Sequence, residues 1–242
     1  MRAWRAKLGF MVPAENSIFE SEMHAMAPEG VAVLTTRLYG PTEASEEGII
    51  KTLETKVKEV ERATKELSAA KVDAIAFGCT SGSFYKGTSW DKELIKKMEK
   101  VGGIKATTTS TSILEALKKM NIRNVGVATP YVKRVNDLLK DFLEKNGLKV
   151  LSTKGLGCTS SYDMLQQPPH VAYQLSKKVN RQDIDGILIP CTGFQAIDAI
   201  EPIEKDLRKP VVTANQATFW FTLRMAGVHE RIDGYGRLTK EF

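Results

Sequence analysis

One stretch of this chain occurs twice. Val72-Asp73-Ala74-Ile75-Ala76-Phe77-Gly78-Cys79-Thr80 aligns with Ile184-Asp185-Gly186-Ile187-Leu188-Ile189-Pro190-Cys191-Thr192, its cysteines standing 112 residues apart in a chain of 242. A second pair keeps the same order: Leu8-Gly9-Phe10-Met11-Val12-Pro13 aligns with Val125-Gly126-Val127-Ala128-Thr129-Pro130 at an offset of 117. Each copy is an apolar, strand-forming run that stops at the same special residues. Two matches in one order, at offsets that differ only by loop insertions, make the chain two related units. Units of about 120 residues are small but able to bury a core each.

Between the repeats, β-rich runs alternate with helical patterns. Strands are expected at Leu8 to Val12, Val31 to Leu38, Val72 to Phe77 and Ile104 to Thr107, and again at Val125 to Ala128, Val150 to Thr153, Ile184 to Ile189 and Val211 to Thr213. A helix is expected from about Ser17, and one long helix from an N-cap at Ser45 to Ala70, with Leu53, Val57, Val60 and Leu67 at three- and four-residue steps. Further helices are expected at about 133–146, 169–179, 195–207 and 215–226. Strand–helix alternation at this spacing predicts α/β units with parallel sheets covered on both faces.

Composition narrows the function classes. The net charge is +6, but the basic residues are mixed with acidic ones, as in Lys56-Val57-Lys58-Glu59-Val60-Glu61-Arg62, and read as a solvated helix face. No basic block interleaved with aromatics marks a nucleic-acid site. The surplus charge suits a small anionic substrate. No run approaches the roughly 18 apolar residues of a membrane span, and Met1 to Lys7 lacks the apolar core of a signal peptide. Three widely spaced cysteines form no disulfide framework, so a reduced, cytoplasmic protein is expected.

In open parallel sheets, ligands bind beyond the carboxyl ends of the strands, where both Cys-Thr pairs fall. If the halves face each other across a pseudo-twofold axis, Cys79 and Cys191 approach one cleft from opposite sides. A thiolate at a helix N-terminus is stabilised by the dipole and free N–H groups. Two such thiols can move a proton on opposite faces of a substrate carbon, or one can attack while the other donates. Cys158 has no counterpart and sits in the Gly155 to Ser161 loop as a bystander. The enediolate that forms beside a carboxylate needs dense hydrogen-bond donors. Thr80, Ser81 and Ser83 follow Cys79, Thr192 and Gly193 follow Cys191, and Asn16 and Tyr131 follow the paired prolines. Each hydroxyl serves equally well as an N-cap. The run Thr107 to Ser112 fits an anion site and a capped strand end equally well. Asp198 and Glu201 read as first-turn or exposed charges.

Other chemistries lack their motifs. His24, His170 and His229 have no partners at metal-ligand spacing, and no phosphate loop, dinucleotide fingerprint or nucleophile elbow is present. Neither a metal nor a cofactor is expected.

Val12-Pro13-Ala14-Glu15-Asn16-Ser17, followed by Glu20 and Glu22, resembles the N-terminal motif of maleate cis-trans isomerases, whose Asn contacts a substrate carboxylate. Thr129-Pro130-Tyr131 with Val135-Asn136 resembles the segment carrying their substrate-binding Tyr. Cys79-Thr80-Ser81-Gly82-Ser83-Phe84-Tyr85-Lys86-Gly87 is similar instead to arylmalonate decarboxylases, whose Thr-Ser pair helps form a dioxyanion hole, although those enzymes carry Gly where Cys79 stands. No His follows the second Cys as in glutamate racemases. The chain is thus identified as a member of the aspartate/glutamate racemase superfamily, in its maleate isomerase and arylmalonate decarboxylase branch.

The resemblance implies two flavodoxin-like domains with four-stranded parallel sheets, no cofactor, and a site between the domains. It implies a C-terminal helix, about 215–242, that returns to the first domain, so the domains would be 1–108 with 215–242, and 109–214. Cys79 would be the nucleophile of an isomerase and Cys191 its acid and base, with Asn16, Thr80, Ser81, Tyr131 and Thr192 holding carboxylates. The residues alone are symmetric between the two thiols. Maleate to fumarate isomerisation is the leading expectation, with racemisation of an amino or 2-aryl acid and arylmalonate-type decarboxylation as alternatives. The partner is a small anionic carboxylate, with neither nucleic acid nor membrane, and homo-oligomer formation is compatible with this.

Overall fold

The computed structural model describes residues 3–40 and 45–242. Met1 and Arg2, which belong to the N-terminal reading above, and residues 41–44 lie outside them. The first half runs β1 (Ala6–Pro13), α1 (Ile18–Met26), β2 (Val31–Leu38), α2 (Glu46–Lys58), α3 (Val60–Ala69), β3 (Ala74–Phe77), α4 (Thr80–Phe84), α5 (Thr88–Gly102), β4 (Ala106–Thr108) and α6 (Thr109–Lys119). The second half runs β5 (Asn124–Tyr131), α7 (Lys133–Lys145), β6 (Lys149–Cys158), α8 (Ser161–Leu165), α9 (Pro169–Val179), β7 (Gly186–Ile189), a 3₁₀ turn (Ile197–Ala199), α10 (Ile200–Leu207), β8 (Val211–Thr213), α11 (Ala214–Met225) and α12 (Arg237–Glu241).

The repeat in the sequence is a repeat in topology. The sheets have four strands each, in the orders β2-β1-β3-β4 and β6-β5-β7-β8, and every pairing is parallel. The repeated motifs form the two central strands of each sheet, buried on both faces. That is why Leu8, Phe10, Met11 and Val12 read as a continuous apolar run rather than an alternation: all four are fully buried. The carboxyl ends of β1, β3, β5 and β7 therefore supply the loops that matter.

Three expectations change. The helix predicted from Ser45 to Ala70 begins as expected, the Ser45 hydroxyl accepting from the Gly48 N–H at 2.9 Å. It divides at Glu59, whose N–H bonds the Lys56 carbonyl three residues back at 3.2 Å. The two pieces have different work: Leu53 and Lys56 of α2 line a cavity, whereas Val60, Ala63 and Leu67 of α3 pack into the core beside Ile75 and Phe77. Second, α4 and α5 fill the stretch between β3 and β4, and α6 the stretch between β4 and β5, beyond the helices expected from the sequence. Third, the C-terminal helix implied to run to 242 stops at Met225. Gly227, at φ +81°, lets the Val228 N–H reach the Leu223 carbonyl at 3.1 Å, the closing bond of a left-handed helix stop.

Because α11 is buried on nearly every side, it can pack in two directions. Phe219 and Leu223 join the core around Phe10 and Phe19, while Ala217 and Trp220 join the one around Val125 and Leu188. The helix leaves β8 and packs on α1, α6 and β3, tying the halves together.

Candidate active site

Both repeat cysteines open into one cavity of about 660 Å³, its mouth included. All seven residues predicted for the site line it: Asn16, Cys79, Thr80, Ser81, Tyr131, Cys191 and Thr192. They come from the carboxyl ends of β1, β3, β5 and β7, as expected for open parallel sheets.

Asn16 follows the turn at the end of β1, where its N–H bonds the Pro13 carbonyl at 2.9 Å. Its Oδ1 accepts from the Ile18 and Phe19 N–H groups at 3.0 Å each, so Asn16 rather than Ser17 supplies the cap of α1. That fixes the amide and points Nδ2 at the Thr192 hydroxyl, 3.2 Å away. The Thr192 hydroxyl in turn donates to the Gly78 carbonyl at 3.2 Å. Loops after β1, β3 and β7 are thereby joined across the two halves.

The two thiols have different settings. Cys79 leaves β3 in an extended conformation and stands at the N-cap of α4. A Cβ at Gly82, one turn on, would lie 3.0 Å from its Sγ, so the glycine makes room for the sulfur. Burial pushes the Cys79 thiol up, opposed by the positive charge of Lys56 and a bond from the Gly82 backbone. Cys191, in contrast, is followed by a turn, closed by the Phe194 N–H on the Cys191 carbonyl at 3.2 Å. The helix predicted from 195 starts only as the 3₁₀ turn at Ile197, so the helix-terminus argument applies to Cys79 alone. Cys191 holds φ at +89°, a conformation that costs an L-residue on the order of 1–3 kcal/mol and is kept only where the surroundings enforce it. Its Sγ lies 3.8 Å from the Met164 sulfur, and burial pushes its thiol up to about 12.

A buried brace enforces that loop. Asn215 at the start of α11 donates from Nδ2 to the Thr192 carbonyl at 3.1 Å and to the Glu22 carboxylate at 2.7 Å. Glu22 accepts a further bond from the Ala196 N–H at 3.2 Å, so both ends of the 192–196 segment are held. Burial lifts the Glu22 carboxyl from 4.5 to about 7, more than its bonds to Asn215 and Ala196 pull it down.

The remaining predicted residues complete the polar wall. The Thr80 hydroxyl is buried and has no protein partner among the described residues, leaving it for a ligand. Ser81 beside it is half-buried. Burial, with Cys191 and Cys79 nearby, holds the Tyr131 phenol well above its ordinary value and therefore protonated, a donor. Ser83 does not line the cavity; its hydroxyl bonds the Thr80 carbonyl at 2.8 Å and the Ser110 hydroxyl at 2.6 Å. The Thr107 to Ser112 run is likewise internal: Thr108 caps α6, accepting from the Thr111 N–H at 3.1 Å, and Thr108 and Thr111 both donate to buried Asp91. Asp198 and Glu201 are exposed.

Several wall residues are not among those expected from the sequence. Lys56, expected on a solvated face, is 3% exposed, lines the cavity and pairs with Glu15. Its helical spacing from Leu53 places it beside the apolar stripe, but spacing cannot say what lies opposite. Met164 and Leu165 of α8, with Ser160 and Ser161, form another wall. Here a signal existed: Ser160 and Asp163 have the spacing of a capped helix start, and the Ser160 hydroxyl accepts the Asp163 N–H at 3.1 Å.

Two repeated parallel sheets that bring paired Cys-Thr motifs to one cavity are the architecture of the aspartate/glutamate racemase superfamily. Within it, the chain belongs to the arylmalonate decarboxylase family, whose model matches residues 8–239. It is 31% identical to the arylmalonate decarboxylase of Bordetella bronchiseptica, over 97% of this chain and 96% of that protein. It is 25% identical to the maleate isomerase of Pseudomonas putida, over 96% of each. Among solved structures, a liganded double mutant of arylmalonate decarboxylase, one glycine changed to cysteine and one cysteine to serine, superposes with a TM-score of 0.87 at 29% identity, covering 98% of this chain and all of that one. A Nocardia farcinica maleate cis-trans isomerase mutant bearing a covalently bound succinylcysteine intermediate shares the fold, with a TM-score of 0.91 at 20% identity over 98% of this chain and 99% of that one. The relatives are enzymes of two reaction types, decarboxylation and isomerisation.

Proposed function

We propose that this protein is a cofactor-independent two-thiol isomerase of a small dicarboxylate, converting maleate to fumarate. The observation that carries the reading is the second cysteine: Cys79 and Cys191 line one cavity with Asn16, Thr80, Ser81, Tyr131 and Thr192. Cys79, whose thiolate is favoured against burial by the Lys56 charge and the Gly82 backbone, attacks one alkene carbon as thiolate. The π electrons move to the neighbouring carbon, whose carboxylate becomes an enediolate held by the hydroxyl and amide donors. Cys191, kept protonated by burial, delivers its proton to that carbon and leaves a succinyl thioether. The former double bond now rotates. Cys191 removes the proton again, the double bond re-forms in the trans geometry, and Cys79 leaves as thiolate. The covalent succinylcysteine of the Nocardia enzyme supports such an intermediate here by likeness.

Decarboxylation of a substituted malonate is the second reading, favoured by the 31% identity to the Bordetella enzyme and by Thr80-Ser81. Racemisation through the same thiols is a third. Purified protein is assayed by proton NMR over maleate, amino acids and substituted malonates, with single Cys79→Ala and Cys191→Ala variants. Isomerisation predicts loss of maleate turnover in both variants. Malonate decarboxylation that survives Cys79→Ala and dies with Cys191→Ala establishes the second reading instead. Solvent deuterium at the alpha carbon of recovered substrate marks racemisation. Activity intact in both variants refutes thiol chemistry altogether.

A further inference from the structure

The wall that α2 contributes to the cavity carries Thr52, Leu53 and Lys56. Lys56 is 3% exposed, an extreme position for an ammonium group. Its stem is packed against the chain at Gly40: a Cβ there would stand 3.0 Å from the Lys56 Cγ and 3.3 Å from its Cε. The side chain is thus closely approached at two points of its stem and shielded from water. Its Nζ pairs with Glu15, one residue before Asn16 on the loop that Arg37 secures by donating to the Asn16 carbonyl at 2.7 Å. Glu15 also lines the cavity. A charge pair is therefore built into a cavity wall, next to Leu53, where an apolar residue would avoid the desolvation cost.

An ammonium has three N–H donors, and Glu15 engages part of that capacity. Among the described residues Glu15 is its one hydrogen-bonding partner, which leaves donor capacity for an acceptor in the cavity. An aryl substituent pressed on this wall would strip water from the pair and return no acceptor. A carboxylate returns two oxygens and a charge. We infer that Lys56, backed by Glu15, is a specificity-determining residue that receives a second anionic substituent of the substrate and turns aryl substituents away. This rests on the reading of the cavity as the substrate site, and it holds whether the reaction there is isomerisation or decarboxylation.

The test uses equilibrium binding to the full chain, by calorimetry, of three ligands that need no turnover: succinate, its monomethyl ester and phenylacetate. A charge-assisted contact of this kind corresponds to about 30-fold in affinity. Succinate is expected to bind about that much more tightly than the ester or phenylacetate. Lys56→Met should erase the difference by weakening succinate alone, and Lys56→Arg should restore most of it. Glu15→Gln, which preserves packing if Lys56→Met fails to fold, should bind succinate at least as tightly as the parent. Phenylacetate binding more tightly than succinate, as a cation–π contact with Lys56 would give, overturns the inference. So does unchanged succinate affinity in Lys56→Met, or weakened succinate binding in Glu15→Gln. If succinate discrimination holds but maleate is not turned over, the isomerase reading fails and this inference stands. If maleate is isomerised with the same KM by Lys56→Met, the reverse is true.

Discussion

Glu22 links pH to the stability of the loop that carries Cys191. Its carboxyl is buried, accepts from Asn215 and Ala196, and is lifted from 4.5 to about 7 by burial, with Asp198 adding a smaller push in the same direction. The native state then holds this proton more tightly than the unfolded chain does. Its favourable contribution is complete below 4.5 and is lost as pH rises through 7, because the unfolded chain gives up the proton first. Each pH unit of that window corresponds to about 1.4 kcal/mol, so ionised Glu22 costs on the order of 3 kcal/mol at pH 8. Glu22→Gln removes the titrating proton but sets an amide NH2 against one of the two donors, Asn215 or the Ala196 N–H, that the carboxyl oxygens accept, a pH-independent cost of about 1–3 kcal/mol. The stability of the variant relative to the parent should therefore rise by on the order of 3 kcal/mol between pH 4.5 and pH 8. Urea denaturation of both proteins at half-unit steps measures the difference, in which every other titrating group cancels. A difference that stays flat over this range would refute the reasoning, since it would mean that Glu22 is solvated or that its bonds outweigh burial.

Three further outcomes follow from the same geometry. Gly82→Ala places a Cβ 3.0 Å from the Cys79 sulfur and from the Phe77 ring; kcat should fall by about tenfold or more, as expected when a reacting atom is displaced, and unchanged kcat would mean that Cys79 does not act from this position. Asn16→Ala removes the cap on α1 and the contact with Thr192; stability should drop by about 1–2 kcal/mol, whereas Asn16→Asp should keep the cap and lose substrate affinity, a split visible by comparing denaturation with KM. Because burial raises Cys79 and carries Cys191 to about 12, kcat/KM should climb with pH through 8 and 9 as the Cys79 thiolate accumulates. No falling limb should appear before pH 10, and a bell centred near neutrality in a stopped-flow pH series would contradict the assignment of the two thiols.

The parts of the fold legible in the sequence are those whose residues answer to local physics. Central strands buried on both faces must be apolar throughout, so β1, β3, β5 and β7 could be read, and the repeat in those strands already implied the repeated strand order. Ser45 caps α2 because a hydroxyl three residues from a free N–H is a local matter. That seven predicted residues would line one cavity was legible for a related reason: strand ends in a parallel sheet are where polar loops gather, and the repeat pairs Cys79 with Cys191. Lys56 was not legible. Leu53, Val57 and Val60 define the apolar stripe, and whether the lysine beside it meets water or a cavity depends on Glu15 and Gly40, which are distant in sequence. The turn at Cys191 was missed for the same reason, its positive φ being held by Asn215 and Glu22 from two other elements.

The sequence by itself determined two copies of a parallel α/β unit, a thiol at an equivalent strand end of each, and the small donors around them. All of these follow from periodicity and backbone chemistry acting within a few residues. Only the tertiary structure decided how those pieces act on one another. It divided the 45–70 helix at Glu59, set Lys56 against the cavity, and buried Glu22 behind the Cys191 loop. It also gave one thiol a helix terminus and a cation and the other a strained turn. Desolvation and charge pairing depend on what lies across a gap, and a linear pattern carries no record of what the fold brings to the other side.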